Sequence, residues 1–174
     1  GADTISKTST ANAANALANT IFNVAAGDST TAARDTITGF LLSDGTYNAD
    51  EINVTGTALV ASGGTSVNVG VIQSHSFTTG VITFDDVDTF ATALSINSGN
   101  LADVISYLET NITTNAHTAA FAYDSTGSGV ADATMVFNSS TATGGDSLIE
   151  LVGVTGVTAV VVAATTTANQ IFVL

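Results

Sequence analysis

The sequence contains no cysteine, no proline and no tryptophan, and only two of its 174 residues, Lys7 and Arg34, are basic. Without cysteine there is no disulfide staple and no thiolate metal site. The absence of proline is unusual for a chain so rich in turn residues. Two cations cannot build the Lys/Arg patch that a phosphate backbone requires, which excludes nucleic acid as a partner. The same shortage argues against an anionic membrane surface. No apolar run approaches the roughly 20 residues of a membrane span. The longest near the end is Ala159–Ala164. No signal peptide stands at the start, and Gly1 is not an initiator Met, which fits a processed or excised piece.

Fifteen acids face those two cations, for a formal net charge of −13. Few acids can therefore be salt-bridged. The others are either solvated, as on any acidic soluble surface, or neutralised by a bound cation. Calcium is the cation expected, because it is a hard ion that takes carboxylate, amide and carbonyl oxygens.

The apolar share of 45% is carried by Ala, Val, Ile and Leu, with eight Phe and three Tyr. Branched side chains and abundant Thr favour strands. Strands are predicted at Thr20–Val24, Asp35–Leu42, Glu51–Thr55, Ser66–Ile72 and Gly80–Phe84. A turn is predicted at Ser43–Asn48, on Asp44-Gly45. Asn12–Asn19 reads as a short Ala-rich helix. Residues 85–115 switch to a helical period. Val87, Phe90, Ala91 and Leu94 form one stripe, and Leu101, Val104, Ile105 and Leu108 form another. Asp85 or Asp86 is placed to cap the first helix and Asn100 the second. Strands return at Ala119–Tyr123 and Ala133–Phe137, a hairpin around a Gly-rich turn, then at Ser147–Val152, Thr158–Val162 and Gln170–Leu174. Four apolar residues at the end call for a sheet or a partner to cover them.

The expected fold is thus β-rich α+β, with antiparallel strands in a sandwich or roll and about two helices near 86–115. The chain divides into a β-rich half, 1–84, and a second half, 85–174, of a helix pair followed by strands. The two halves are also readable as one continuous domain.

Among motifs, Asp124-Ser-Thr-Gly-Ser-Gly-Val-Ala-Asp132 has the spacing of a calcium loop. Oxygen-bearing side chains stand at Asp124, Thr126 and Ser128, Gly129 occupies the sharp turn, and Asp132 follows. A full loop of this kind carries acids at its third and fifth positions and Glu at its twelfth. Thr126, Ser128 and Met135 stand there instead, so any site is weak. The alternative is a hairpin loop closed by local hydrogen bonds. Asp85, Asp86 and Asp88 place three carboxylates within four residues, needing either a cation or a helix N-terminus. Asp44, Asp50 and Glu51 flank a turn, and Asp146 and Glu150 form a further acidic spot. His75 and His117 have no second ligand nearby in sequence and are expected to be structural or solvent-exposed. No nucleophile elbow, zinc-protease motif or phosphate loop is present, and no carboxylate pair is singled out for acid–base work. An enzyme is not expected.

Several stretches together resemble the C-terminal regions of RTX-type proteins, which bacteria export by type I secretion and which include surface-layer proteins and adhesins. Gly1, Asp3 and Ile5 match the tail of a Gly-Gly-x-Gly-x-Asp-x-apolar-x calcium repeat. Asp35-Thr-Ile-Thr-Gly-Phe40 and Asp50-Glu-Ile-Asn-Val54 are similar to the strand pair that follows such repeats. The run from Asp86 to Val152, with Phe121-Ala-Tyr-Asp124, Met135-Val-Phe137 and Asp146-Ser-Leu-Ile-Glu-Leu-Val-Gly-Val154 in it or at its end, is closest, and Ile171-Phe-Val-Leu174 looks like a type I secretion end. No tandem repeat array is present, so a full calcium β-roll is not expected. The resemblance implies a secreted, calcium-binding protein of the cell surface. Its expected role is a self-associating subunit of a surface layer, filament or matrix. The alternatives are an adhesin module contacting a cell-surface glycan, or the folding and secretion domain of a larger exported protein.

Overall fold

The computed structural model describes residues 1–7, 20–25, 27–30, 32–42, 49–54, 58–59, 66–112, 117–140, 145–162 and 170–174. The helix expected at 12–19 and the turn at 43–48 lie outside the described residues. In chain order the strands are β1 (Thr4–Ser6), β2 (Ile21–Asn23), β3 (Asp35–Thr38), β4 (Glu51–Asn53), β5 (Ala58–Leu59), β6 (Ser74–Thr78) and β7 (Val81–Asp85). Helix α1 (Leu101–Asn111) follows, then β8 (His117–Tyr123), β9 (Ala133–Asn138), β10 (Ser147–Val152), β11 (Val160–Val162) and β12 (Gln170–Val173). The β-rich α+β class expected from the composition is the class observed.

One sheet runs β1-β3-β10-β9-β8-β7-β6, with β5 also pairing to β8. A smaller one runs β11-β12-β4-β2. Because β3 pairs with β10 and β4 with β12, both sheets are built from both halves of the chain. Strand β12 lies between β11 and β4, so the apolar end is held within a sheet. The large sheet packs on two sides. Phe121, Met135, Phe137 and Leu148 face α1, which presents Val104, Tyr107 and Leu108. Ile37, Ala120, Val136 and Ile149 face the small sheet, which presents Phe22, Ile52 and Ile171. Strand β9 is buried at every position, so its side chains alternate between two cores rather than between core and water. The polar groups caught inside are answered: Thr134 donates to the Val154 carbonyl at 2.8 Å, and Asn138 donates to the Thr118 hydroxyl at 2.8 Å.

The antiparallel expectation is corrected to a mixed arrangement. The β6–β7 and β8–β9–β10 ladders are antiparallel, whereas β1–β3, β3–β10, β2–β4 and β7–β8 are parallel. The cause is the chain path. From β1 to β4 the chain alternates between the sheets and returns to each in the same direction. Thr4 pairs with Thr36 and Ile5 with Ile37 in one sheet, while Phe22 pairs with Ile52 and Asn23 with Asn53 in the other. Asp3-Thr-Ile5 thus stacks on Asp35-Thr-Ile37, and Phe22-Asn-Val24 on Ile52-Asn-Val54. These are two rungs of a parallel coil, repeating at 32 and 30 residues.

The helix expected over Val87–Leu94 does not form; residues 86–100 hold no α-helix. The amides of Ala91 and Thr92, which a helix would use internally, are taken by the Asp85 carboxylate at 2.6 and 2.9 Å. The Leu94 amide goes to the Phe84 carbonyl. Val87, meant for the buried stripe, is exposed. The second stripe does form α1. Asn100 stands at its N-cap but does not cap it; its side chain accepts from the Asn97 amide and donates to the Ser95 carbonyl. The strand expected at Ser66–Ile72 is replaced by a tight turn joining Val69 to Ile72. Gly70 sits there at φ +57°, and a Cβ on it would fall 2.1 Å from the Asp103 carboxyl carbon. That room lets Asp103 accept the Val71 amide at 3.0 Å.

Phe121 sits edge-on to Phe84, ring centres 5.5 Å apart, at the middle of the helix-side core. Phe121→Ala is expected to cost about 3–5 kcal/mol in denaturant unfolding. Val130→Ala, at a residue 72% exposed, is expected to stay within about 0.5 kcal/mol of the parent. Similar losses for both would contradict this placement of the core.

Candidate functional site

Four aspartates are buried: Asp35, Asp50, Asp85 and Asp124. A buried carboxylate is costly unless hydrogen-bonded. Asp124 directly follows β8, its own amide bonded to the Ile96 carbonyl at 2.8 Å. Its Oδ2 accepts the Gly129 amide at 2.6 Å. Its Oδ1 accepts the Ser128 amide at 3.0 Å and the Thr126 hydroxyl at 3.2 Å. At the far side of the loop, Asp132 accepts the amide and hydroxyl of Ser125 at 2.7 and 3.0 Å. Gly127 and Gly129 supply the left-handed turns, at φ +72° and +88°. Asp124, Thr126, Ser128 and Asp132 are therefore brought together, as the spacing predicts. Both Asp124 oxygens, however, face N–H and O–H donors. In this conformation the loop closes on itself through these hydrogen bonds.

Burial is the largest single influence on Asp124 and opposes its ionisation. The amides of Gly129 and Ser128 with the Thr126 hydroxyl outweigh it and hold the carboxyl below the ordinary value. The Ser125 amide does the same for Asp132. At Asp85, the Ala91 and then the Thr92 amide depress the carboxyl in the same way.

Asp86 lies beside Asp85, its side chain among the groups that lower the Asp85 pKa. Asp86 and Asp88 are both exposed, and Asp88 accepts from the Asn68 amide group at 2.8 Å. Asp44 lies outside the described residues. Asp50 is buried and accepts the Lys7 ammonium, the Thr20 amide at 3.1 Å and the Leu41 amide at 3.0 Å. Its neighbour Glu51 is buried in β4, with its amide on the Thr20 carbonyl. Asp146 takes the Ser140 amide at 2.6 Å, while Glu150 pairs with Arg34 at 2.7 Å. Among the described residues, no three His, Cys, Asp or Glu side chains converge as a metal-holding group.

Three features escaped the sequence reading. Asp35 accepts the Asp3 amide, 2.9 Å away and 32 residues earlier. The repeated Asp-Thr-Ile was the signal for it. Asp103 bonds the Val71 amide, a contact no local pattern announces. His75 is half-buried, its Nδ1 2.9 Å from the Tyr107 hydroxyl and 3.2 Å from the Ser66 hydroxyl. This triangle ties the 66–69 loop and β6 to α1. Burial lowers the His75 pKa and raises that of Tyr107. His117 is half-buried in β8.

No protein-family model matches this sequence, and no curated protein and no solved structure matches it significantly. Function therefore has to be argued from the residues.

Two acid-sensitive windows follow. The folded pKa of His75 lies below its ordinary 6.5. Its contribution is complete above that value and declines as pH falls through it. Asp85, Asp124 and Asp132 are depressed below 3.8. Their contribution is complete above that value and is lost as pH falls through the lower folded pKa values. Urea midpoints measured from pH 8 to pH 3 should show both declines. His75→Gln should remove the upper one and Asp124→Asn should shrink the lower. A single decline unaffected by either variant would contradict these assignments.

Proposed function

We propose that this chain is an extracellular structural protein, a subunit of a surface layer, filament or matrix whose copies join edge to edge with calcium between them. The observation that carries the proposal is the state of strand β6. It closes one end of the large sheet, pairs among the described residues only with β7, and reads Ser-His-Ser-Phe-Thr, without acid, lysine or proline. Sheet edges are ordinarily blunted by such residues, and an unblunted one is a template for another strand.

The flank of this edge is acidic. Ser74 pairs with Asp85 and its hydroxyl bonds the Val87 carbonyl at 2.6 Å, which holds the segment carrying exposed Asp86 and Asp88 beside β6. Lys7 and Arg34 are already committed to Asp50 and Glu150. No basic side chain is left to offset these carboxylates when two edges meet, so a mobile cation must do it. Calcium suits oxygen ligands drawn from two surfaces. The likeness to RTX-type surface proteins supports a secreted setting. The adhesin reading is less favoured, because no aromatic ring is exposed among the described residues and a sugar platform has nothing to stand on. No helix among them is long and apolar enough to cross a membrane.

Light scattering and negative-stain imaging test the proposal. Polymers are expected to grow at about 0.1–1 mM calcium, the range of weak extracellular sites, and to disperse in excess chelator. Asp86→Asn with Asp88→Asn removes both the repulsion and the bridge, so assembly should lose its response to calcium. Polymers of the parent protein that persist in chelator would remove calcium from the proposal, and a monomer at every calcium level would remove assembly.

A further inference from the structure

The two parallel rungs end in a face that has everything needed to continue. Strand β1 is the edge of the large sheet and β2 the edge of the small one, so both sheets stop at the same end of the coil. The contacts joining the two rungs are donated from both sides. Asp35 Oδ1 accepts the Asp3 amide at 2.9 Å. The Asn53 side chain donates to Asn23 Oδ1 at 2.8 Å. The Thr36 amide reaches the Asp3 carbonyl, and the Lys7 amide the Thr38 carbonyl. Inside, Ile5 lines up with Ile37 and Leu151, and Phe22 with Ile52 and Ile171.

Each of these devices is present once more on the open face, without its counterpart. Asp3 occupies the place of Asp35 one rung earlier, and its carboxylate is exposed. Asn23 serves the ladder through its side-chain oxygen, and among the described residues its side-chain nitrogen has no acceptor. Ile5 is 39% exposed, whereas its ladder neighbour Ile37 is 1% exposed. We infer that the face formed by β1 and β2 is the stacking surface for a further parallel rung of the same kind, joined in cis. Such a rung lays an Asp-Thr-Ile strand along β1 and an apolar-Asn-Val strand along β2. Its aspartate amide would meet the Asp3 carboxylate and its asparagine would meet the Asn23 side chain. A second copy of this chain fits less well. Its own coil end would approach with the opposite strand direction, which breaks the parallel register that aligns each aspartate with an amide of the neighbouring rung. The inference does not rest on the assembly proposed above, which uses β6 at the opposite end of the large sheet.

The test is a chain extended at its N-terminus by a copy of residues 1–32, which repeats the 32-residue spacing of β1 to β3. Amide exchange in β1 and β2 is the readout, because an amide that gains a net hydrogen bond exchanges on the order of tenfold more slowly. Protection of the Thr4, Ser6 and Asn23 amides, which point away from β3 and β4, with a raised melting temperature is expected in the extended chain. A scrambled extension of the same composition should leave both unchanged. Asp3→Ala should be silent in the parent chain and should remove part of the gain in the extended one. Unchanged exchange in the extended chain would overturn the inference. So would a parent chain that dimerises with β1 and β2 already protected, because a second copy would then cover the face.

Discussion

A carboxylate withdrawn from water must be met by donors, and this chain has almost no side-chain cations to offer. The structure meets the demand with backbone. Asp85 gathers the amides of Asp86, Ala91 and Thr92, Asp124 those of Ser128 and Gly129, and Asp50 those of Thr20 and Leu41. Hydrogen bonds to an ionised acceptor are shorter and stronger than neutral ones. Each carboxylate therefore fixes the path of several loop residues at once. The loops at the ends of β7 and β8 and the entry to β4 are shaped by single aspartates. The two cations go to the acids Asp50 and Glu150, the second beside the Tyr123 ring, 5.8 Å from the Arg34 guanidinium.

This use of aspartate marks where the fold could be read from sequence and where it could not. The β8–β9 hairpin was legible because alternation on both sides of a Gly-rich turn is a local signal, as was α1 from Leu101, Val104 and Leu108. The stripe over Val87–Leu94 carried the same period but had a competitor. Asp85, immediately before it, offered its amides a charged acceptor, and the Ala91 and Thr92 amides took it. Strand direction was illegible for another reason. Whether β3 returns parallel to β1 depends on the chain crossing to the other sheet between them, which only the packing of Phe22 against Phe40 and Ile52 reveals.

The candidate site divides in the same way. Spacing placed Asp124 and Asp132 correctly in one loop, because the loop is local. What those oxygens do depends on which way the amides of Ser125, Ser128 and Gly129 point, and residue type does not encode that. Asp35 and Asp103 serve amides 32 residues away; only the repeated Asp-Thr-Ile marked the first, and no local pattern marked the second. The buried acids thus belong to the scaffold. Asp86 and Asp88, by contrast, stand at the surface.

The missing proline takes on a physical meaning in this light. The amides of Thr20, Leu41, Ala91, Thr92, Ser125, Ser128, Gly129 and Ser140 each serve a carboxylate. Proline has no amide hydrogen to give. At any of these loop positions it would leave a carboxylate short of a donor, with no lysine or arginine in reserve. Loops are where proline is ordinarily tolerated, and in this chain many loop amides are engaged as the counter-charge. A chain that gives up basic residues and then buries its acids must keep its loop N–H groups, and that requirement links the first two absences in the sequence to each other.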